Sequence, residues 1–512
     1  MDEAPLPDWL EPLFGAEQMR AIDRWAIEQL GIPSLDLMER AGAGLTVHTD
    51  RLFPRGPIAI VCGKGNNGGD GLVAGRLLRG FGRKVRVLLL AAPDEYAGDA
   101  AANLRRLEGT HEPFEPAALA GAAVVVDAIL GTGAHGEPRG AAADAIEALA
   151  SFGGPIVAAD IASGVDASTG EAADVSVAAT ATVTFAAAKP GHWIAPGKQA
   201  CGERIVVDIG IPPGAPVAPD AGRLTGRVHD LVPGRDAPGT KFSSGHVVVA
   251  GGSRGLTGAP CLAADAAMRA GAGYVTALVP ASLEPIFEMR LLEVMTRGLA
   301  DEDGALAPAG VEDALAACER AGALVLGPGA GRGEGALRFL RDVAARAAIP
   351  LLLDADGLNA HAGALESLAG RGAPTVLTPH AGELARLLGT SSEAVGRSRL
   401  RSAREAARRA RAIVVLKGDD TIVARPDGLA AVNDLSAPGL ATAGTGDVLS
   451  GIIGAHLAKG MDAFAAACAG VRRHAAAGRV AAEEHGADGV IARDVIAALP
   501  HARRGEPAPP GE

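Results

Sequence analysis

At 512 residues the chain is too long for one ordinary core, so two or three domains are expected. Its 48% hydrophobic and 21% charged residues give a globular balance rather than a disordered one. The net charge of −12 argues against nucleic acid or an anionic membrane as the main partner, because broad phosphate binding needs basic patches. A small phosphate-bearing ligand stays compatible, since backbone amides and a few local cations can hold it.

Aromatic residues make up only 3%, so the core must be built from Ala, Val, Leu and Ile on closely packed elements. Cys62, Cys201, Cys261, Cys318 and Cys468 are widely spaced, odd in number and form no CxxC pair, which fits reduced thiols in a cytoplasm. The opening MDEAPLPDWLEPLF is acidic and does not read as a secretory signal. No apolar run approaches the roughly 18 residues that a membrane span requires. A cytoplasmic protein is expected.

Both halves alternate strand-like apolar runs with helical segments. PIAIVCG, KVRVLLL, AAVVVDAIL, PIVAADI and ATVTFAA mark the first half; HVVVAGG, YVTALVP, ALVLGPG, IPLLLDAD, TVLTPH and AIVVLKG mark the second. Near-continuous apolar strands, several followed by Gly, Asp or His, indicate parallel sheets covered on both faces, with ligands gathering beyond the strands' carboxyl ends. The Pro- and Gly-rich stretch after Ile211 reads as a linker with a short ordered piece near Val228–Val232. The expected division is residues 1–211 for the first domain, 212–239 for the linker, 240–502 for the second domain and 503–512 for a disordered tail.

In the first half, PIAIVCG leads into Gly63-Lys64-Gly65-Asn66-Asn67-Gly68-Gly69-Asp70-Gly71 and then a helix. Glycines there allow close backbone approach, and the helix start offers free amides to a pyrophosphate. An ordinary hydride-carrier site would place an acidic residue about 20 residues on, where this chain has the apolar KVRVLLL. Three further strand ends carry Asp127 with the loop Gly131-Thr132-Gly133, Asp160 with Ser163, and Lys189.

In the second half, HVVVAGG opens a βαβ unit with a glycine-rich turn, SRGLTGA. Later strand ends carry GPGAG, DADGLN, TPHAGE and LKGDDT. Gly444-Thr445-Gly446 then precedes the helical run DVLSGIIGAHLAKG, so its amides can form an anion hole for a transferring phosphoryl group. Asp447 at that helix start is placed to take a proton from an attacking hydroxyl. Alone it would read as a helix cap; with the glycines before it, and His380 and Glu383 on another strand end, the catalytic reading is favoured.

The first-half motifs, together with AEQMRAIDRWAIEQLGIPSLDLMERAG, closely resemble the YjeF N-terminal family, the NAD(P)H-hydrate epimerases, over roughly residues 14 to 210. The resemblance implies a Rossmann-like three-layer α/β domain. It implies that Asn66, Asn67, Gly68, Gly69 and Asp70 hold a hydrated dinucleotide together with Gly131, Thr132, Gly133, Ala134, His135, Gly136 and Glu137. It further implies that Asn67, Asp127 and Ser163 bind a potassium ion and that Asp160 meets the substrate near its reactive ring, where epimerisation needs a proton donor or acceptor. Ala134-His135 depart from the larger apolar residue that the family has after the GTG.

SGHVVVAGGSRGLTGA, DADGLNA, LTPHAGE and GTGDVLSG resemble the ribokinase-like fold, and more narrowly the NAD(P)H-hydrate dehydratases, over roughly residues 240 to 500. By that resemblance Lys417, Gly418, Asp419, Asp420 and Thr421 line an ADP site with Ala437, Pro438, Gly439, Leu440, Ala441, Thr442, Ala443, Gly444, Thr445 and Gly446. Asp447, His380, Gly331 and Ala272 would contact the hydrated substrate, and Glu383 would join a magnesium and phosphate network. Ala443 stands where the family has a glycine, which bears on nucleotide affinity.

The expected activity is repair of hydrated NADH and NADPH: epimerisation of the two C6 forms, then dehydration of the S form with ADP giving AMP and phosphate. A homo-oligomer is expected. The alternative is a small-alcohol kinase whose N-terminal domain only binds.

Overall fold

In the computed structural model, residues 6–235, 239–241 and 243–502 are described; the expected tail at 503–512 lies outside them. The chain divides into two compact units. One is chiefly Pro12–Gly222, with Arg397–Arg399; the other is chiefly Arg223–Gly396 and the chain from Leu400, with Pro7–Glu11. The stretch expected to be a linker holds the strand Ala221–Leu224 and a 3-10 turn at Gly226–Leu231.

The first unit is built on an all-parallel sheet of seven strands. Their spatial order is Glu112–Pro113, Val85–Leu89, Ile58–Cys62, Val124–Ala128, Ile156–Ala159, Ala181–Phe185 and Glu203–Val207. Every residue of Ile58–Cys62 and Val124–Ala128 is buried, because both faces are covered. Side-chain alternation sends Ile58, Ile60 and Cys62 into one core with Leu37, Leu45, Leu72 and Leu78 of the helices Ser34–Leu52 and Asn66–Gly80. Ala59 and Val61 enter a second core with Ile146 and Leu149 of the helix Ala141–Ala150. The result is the Rossmann-like three-layer arrangement expected from the sequence.

The second unit carries an 11-stranded sheet. Its parallel part runs Ile413–Leu416, Thr375–Leu377, Leu351–Leu353, Ala323–Leu326, His246–Ala250, Tyr274–Pro280 and Met295–Leu299. Beyond Ile413–Leu416 the sheet turns antiparallel through Ile422–Ala424 and Ala430–Val432, then ends on Ala221–Leu224 and Leu10–Leu13. These antiparallel edge strands were not anticipated, because short apolar runs do not disclose their direction. The helices Gly258–Arg269 and Thr445–Ala458 pack through small residues, among them the fully buried Ala263, Ala266 and Ala455. This is the expected ribokinase-like α/β unit, and its Ala- and Gly-rich helices replace aromatic packing with close backbone approach.

Candidate functional sites

In the first unit, the strand Ile58–Cys62 delivers the glycine-rich turn to the start of the helix Asn66–Gly80. Gly68 is obligatory, because a Cβ there would lie 1.7 Å from the carbonyl oxygen of Gly63. The turn borders a cavity of about 960 Å³, lined by Asn66, Asn67, Asp70, Gly131, Thr132, Gly133, Ala134, Asp160 and Lys189. Gly68 and Gly69 are buried behind that wall, while His135, Gly136 and Glu137 are exposed. The His135 ring lies 3.2 Å from Asp166 and 3.4 Å from Arg20.

Asp160 sits at φ +67°, a strained conformation for a residue with a Cβ, at the end of the strand Ile156–Ala159. Four donors converge on its carboxylate. Lys189 Nζ at 2.6 Å and Thr184 Oγ1 at 3.2 Å reach Oδ1, and the Thr132 amide at 2.8 Å and Thr132 Oγ1 reach Oδ2. Burial alone would raise its pKa, but Lys189 and these hydrogen bonds outweigh it and hold the carboxyl well below its ordinary range. Lys189 spends its remaining protons on Thr184 Oγ1 and the Phe185 carbonyl, at 2.6 and 3.1 Å. His192 accepts from the Lys189 amide through Nδ1, which leaves its Nε2–H to donate to the Asp160 carbonyl at 2.9 Å. Burial and then the Lys189 charge push its pKa down to about 4 and keep it neutral.

Asp127 is fully buried and accepts from the Ser163 amide at 2.9 Å, Ser163 Oγ at 2.7 Å and the Ile129 amide at 3.2 Å. Burial pushes its pKa up to about 6 despite these bonds. The Asn67 amide is buried, and neither its oxygen nor its nitrogen finds a partner among the described residues. Asp23, on the helix Ala16–Glu28, also lines the cavity; it lies within AEQMRAIDRWAIEQLGIPSLDLMERAG, a segment in which the sequence alone singles out no one residue.

In the second unit, Gly444 at φ +87° caps the helix Thr445–Ala458. Thr445 Oγ1 ties the preceding turn by donating to the Leu440 and Thr442 carbonyls, at 2.7 and 2.9 Å. Asp447 stands in the first turn, partly exposed. Burial, then the charges of Asp354 and Glu383, push its pKa up to about 7 against the pull of Lys417. Lys417 lies 3.1 Å from Asp354 and 3.7 Å from Glu383, and a Cβ on Gly446 would meet its ammonium at 3.5 Å. Those carboxylates outweigh burial and keep Lys417 charged. Gly418 to Thr421 form a tight turn, closed by Thr421 Oγ1 donating to the Gly418 carbonyl at 2.6 Å.

His380 caps the helix Ala381–Leu388, its Nδ1 accepting from the Gly382 and Glu383 amides, and Glu383 Oε2 accepts from the His380 amide at 2.9 Å. Burial lowers the His380 pKa, partly offset by Glu383. The Gly331 amide donates to Asp356 at 2.9 Å. Asp354 and Asp356 leave the DADGLN segment on opposite sides of Ala355, which is held at φ +49°. Asp354 went unassigned in the sequence because its neighbour Lys417 is 63 residues away. Ala443 is exposed and is not among the positive-φ residues, so its backbone does not require glycine.

Ala272 does not join this group. It is fully buried at the N-terminal end of the strand Tyr274–Pro280, whereas ligands gather at the other end. Its neighbour Gly271 adjoins Lys459, at the far end of the helix that Asp447 begins, about 18 Å away at 1.5 Å rise per residue.

Residues 34–191 match the model of the YjeF-related protein N-terminus, and residues 247–501 match that of NAD(P)H-hydrate dehydratase. The bifunctional NAD(P)H-hydrate repair enzyme Nnr of Moorella thermoacetica is 40% identical, with 96% of each chain covered. That of Escherichia coli is 34% identical, over 94% of this chain and 92% of the other. Among solved structures, the ADP/ATP-dependent NAD(P)H-hydrate dehydratase of Bacillus subtilis, co-crystallised with ATP and Mg2+, is 28% identical. Its TM-score is 0.47, with 55% of this chain and 96% of that chain covered. With both halves matched in one continuous relationship at near-full length, the chain belongs to the family of bifunctional NAD(P)H-hydrate repair enzymes.

Proposed function

We propose that the N-terminal unit interconverts the C6 epimers of hydrated NADH and NADPH, and that the C-terminal unit dehydrates the S epimer using ADP. Asp447 carries the second reading: a carboxyl with pKa near 7 stands at a glycine-lined helix start beside a charged lysine. A base titrating near neutrality can accept a hydroxyl proton, and the helix amides with Lys417 can hold the transferring phosphoryl group. The substrate C6 oxygen loses its proton to Asp447 as it bonds to the nucleotide's terminal phosphorus, and AMP leaves. The ring nitrogen lone pair then expels phosphate, and loss of the C5 proton restores the dihydropyridine. His380 and Gly331 flank the substrate. Lys417 to Thr421 and Ala437 to Gly446 hold the nucleotide.

In the N-terminal unit the cavity takes the hydrated ring beside Asp160 and Lys189, and Asn66 to Asp70 hold the dinucleotide, with its pyrophosphate at the amides that open the helix Asn66–Gly80. The residues suit a potassium ion: Asn67 has a buried, unpartnered amide oxygen, and Asp127 is a fully buried carboxyl whose pKa burial raises. Bound there with Ser163, the ion would supply positive charge near the dinucleotide. Among the described residues no group of three His, Cys, Asp or Glu is arranged to hold a metal ion. Magnesium would come with the nucleotide phosphates, near Glu383. A cytoplasmic homo-oligomer is part of the same reading. Five buried free cysteines suit a reducing compartment, and no helix among the described residues is long and apolar enough to cross a membrane.

The test supplies an epimer mixture of hydrated NADH, Mg2+ and either ADP or ATP, and follows the return of reduced-nicotinamide absorbance. Full recovery requires both units; recovery stopping near the S fraction would remove the epimerase reading, and a stable phosphorylated product would favour a plain alcohol kinase.

A further inference from the structure

The N-terminal cavity contains two carboxyls that the Asp160–Lys189 pair does not engage. Asp23 comes from the helix Ala16–Glu28 and Asp70 from the helix Asn66–Gly80, and both face the cavity that Asp160 and Lys189 line. Asp70 is 8% exposed, whereas Asp23 is half-buried. No hydrogen bond from the described residues holds either carboxyl. Asp160, in contrast, has its oxygens occupied by Lys189, Thr184 and both donors of Thr132, which makes it a poor proton acceptor. Asn67, whose amide is buried and unpartnered among the described residues, lines the same cavity.

We propose that Asp70 and Asp23 are the catalytic proton donor and acceptor of the epimerase unit, and that Asp160 and Lys189 are positioning residues; this rests on the epimerase reading above. Burial raises both carboxyls. The charges of Asp160 and Asp23 push Asp70 further up against Lys189, and Asp160 raises Asp23 while Lys189 lowers it. The other charged groups on the wall are Arg20, Lys64, Glu95, Asp99 and Arg139. Asp70, the more buried, is driven further toward protonation than the half-exposed Asp23, and unequal environments of this kind separate acid and base roles.

The step is a ring opening. Ionised Asp23 takes the C6 hydroxyl proton, and the O–H electron pair becomes the second bond of a C6 aldehyde. The C6–N1 bond breaks, its electron pair stays on N1, and Asp70 delivers its proton there. Rotation about C5–C6 presents the other carbonyl face. The reverse transfers close the ring as the opposite epimer, with no net change in protons or oxidation state.

The test uses the full chain with purified R epimer of hydrated NADH and no nucleotide, so that the dehydratase unit stays idle. Chromatography follows R to S conversion across pH. The wild type gives a bell-shaped rate profile. Asp70→Asn falls about 100-fold and loses the alkaline limb, and Asp23→Asn falls similarly and loses the acidic limb, with KM changed little. Asp160→Asn is slower but keeps both limbs. Asp23 is half-exposed, so its variant tests the pair even where Asp70→Asn disturbs the helix. Wild-type rate with both limbs in either variant overturns the proton assignment alone. A wild-type chain that converts R no faster than buffer removes the epimerase reading, and this proposal with it.

Discussion

Lys417 Nζ lies 3.1 Å from Asp354 Oδ1, and the other oxygen of Asp354 accepts from Ser450 Oγ at 2.7 Å. Asp354 is 2% exposed, so a buried carboxylate anchors the cation under Gly446 while its charge keeps the neighbouring Asp447 titrating high. A strand end, a distant lysine and a helix serine thereby set the strength of the base.

Asp447→Asn retains the shape of the side chain but cannot accept a proton. Recovery of reduced-nicotinamide absorbance from the S epimer should fall by at least about 100-fold with nucleotide binding little changed, which a titration of ADP into the variant would check.

Because the Asp447 pKa is raised to about 7, its base form is present above that pH and lost below it. The dehydration rate should therefore rise through neutrality and level off on the alkaline side. A profile already flat between pH 5 and 8 would show that no base of this kind limits the step.

Asp354→Asn removes a charge that raises Asp447 and a partner of Lys417. The acidic limb of dehydration should move to lower pH. The C-terminal unit should lose less than the roughly 3 kcal/mol of a fully orphaned buried charge, because Glu383 still faces the Lys417 ammonium at 3.7 Å. Thermal unfolding and pH–rate measurements read the two effects separately.

Asp160→Asn leaves Lys189, 1% exposed, without its anion. Destabilisation of the N-terminal unit by about 3–5 kcal/mol is expected, together with rapid repair of the S fraction and slow repair of the rest. Asp160 has a depressed folded pKa, so its contribution is present above the unfolded value near 4 and is lost as pH falls toward the folded one. The stability gap between wild type and variant should accordingly close on acidification.

At the nucleotide turn, two adjacent positions should respond differently. Gly444→Ala forces a Cβ into φ +87° and to 2.7 Å from Leu262, so weaker ADP use and about 1 kcal/mol or more of lost stability are expected. Ala443→Gly relieves no strain, and the KM for ADP should change by less than about threefold.

What is written in consecutive residues was legible from the chain alone. Runs such as IAIVC and LVL are buried on both faces and make parallel strands, while NNGGDG and GTGD fix two helix starts with the atoms that chemistry needs at them. Tertiary structure decided what depends on residues far apart in the chain. It moved Ala272 to the opposite end of its strand from the site, brought Asp354 to Lys417 and Asp23 to the cavity of Asp160, and bound Asp160 with four donors that set its acidity. The physical reason is that local sequence governs backbone conformation and patterning. The ionisation of a side chain depends on burial and on charges within a few ångströms, which only the packed fold brings together.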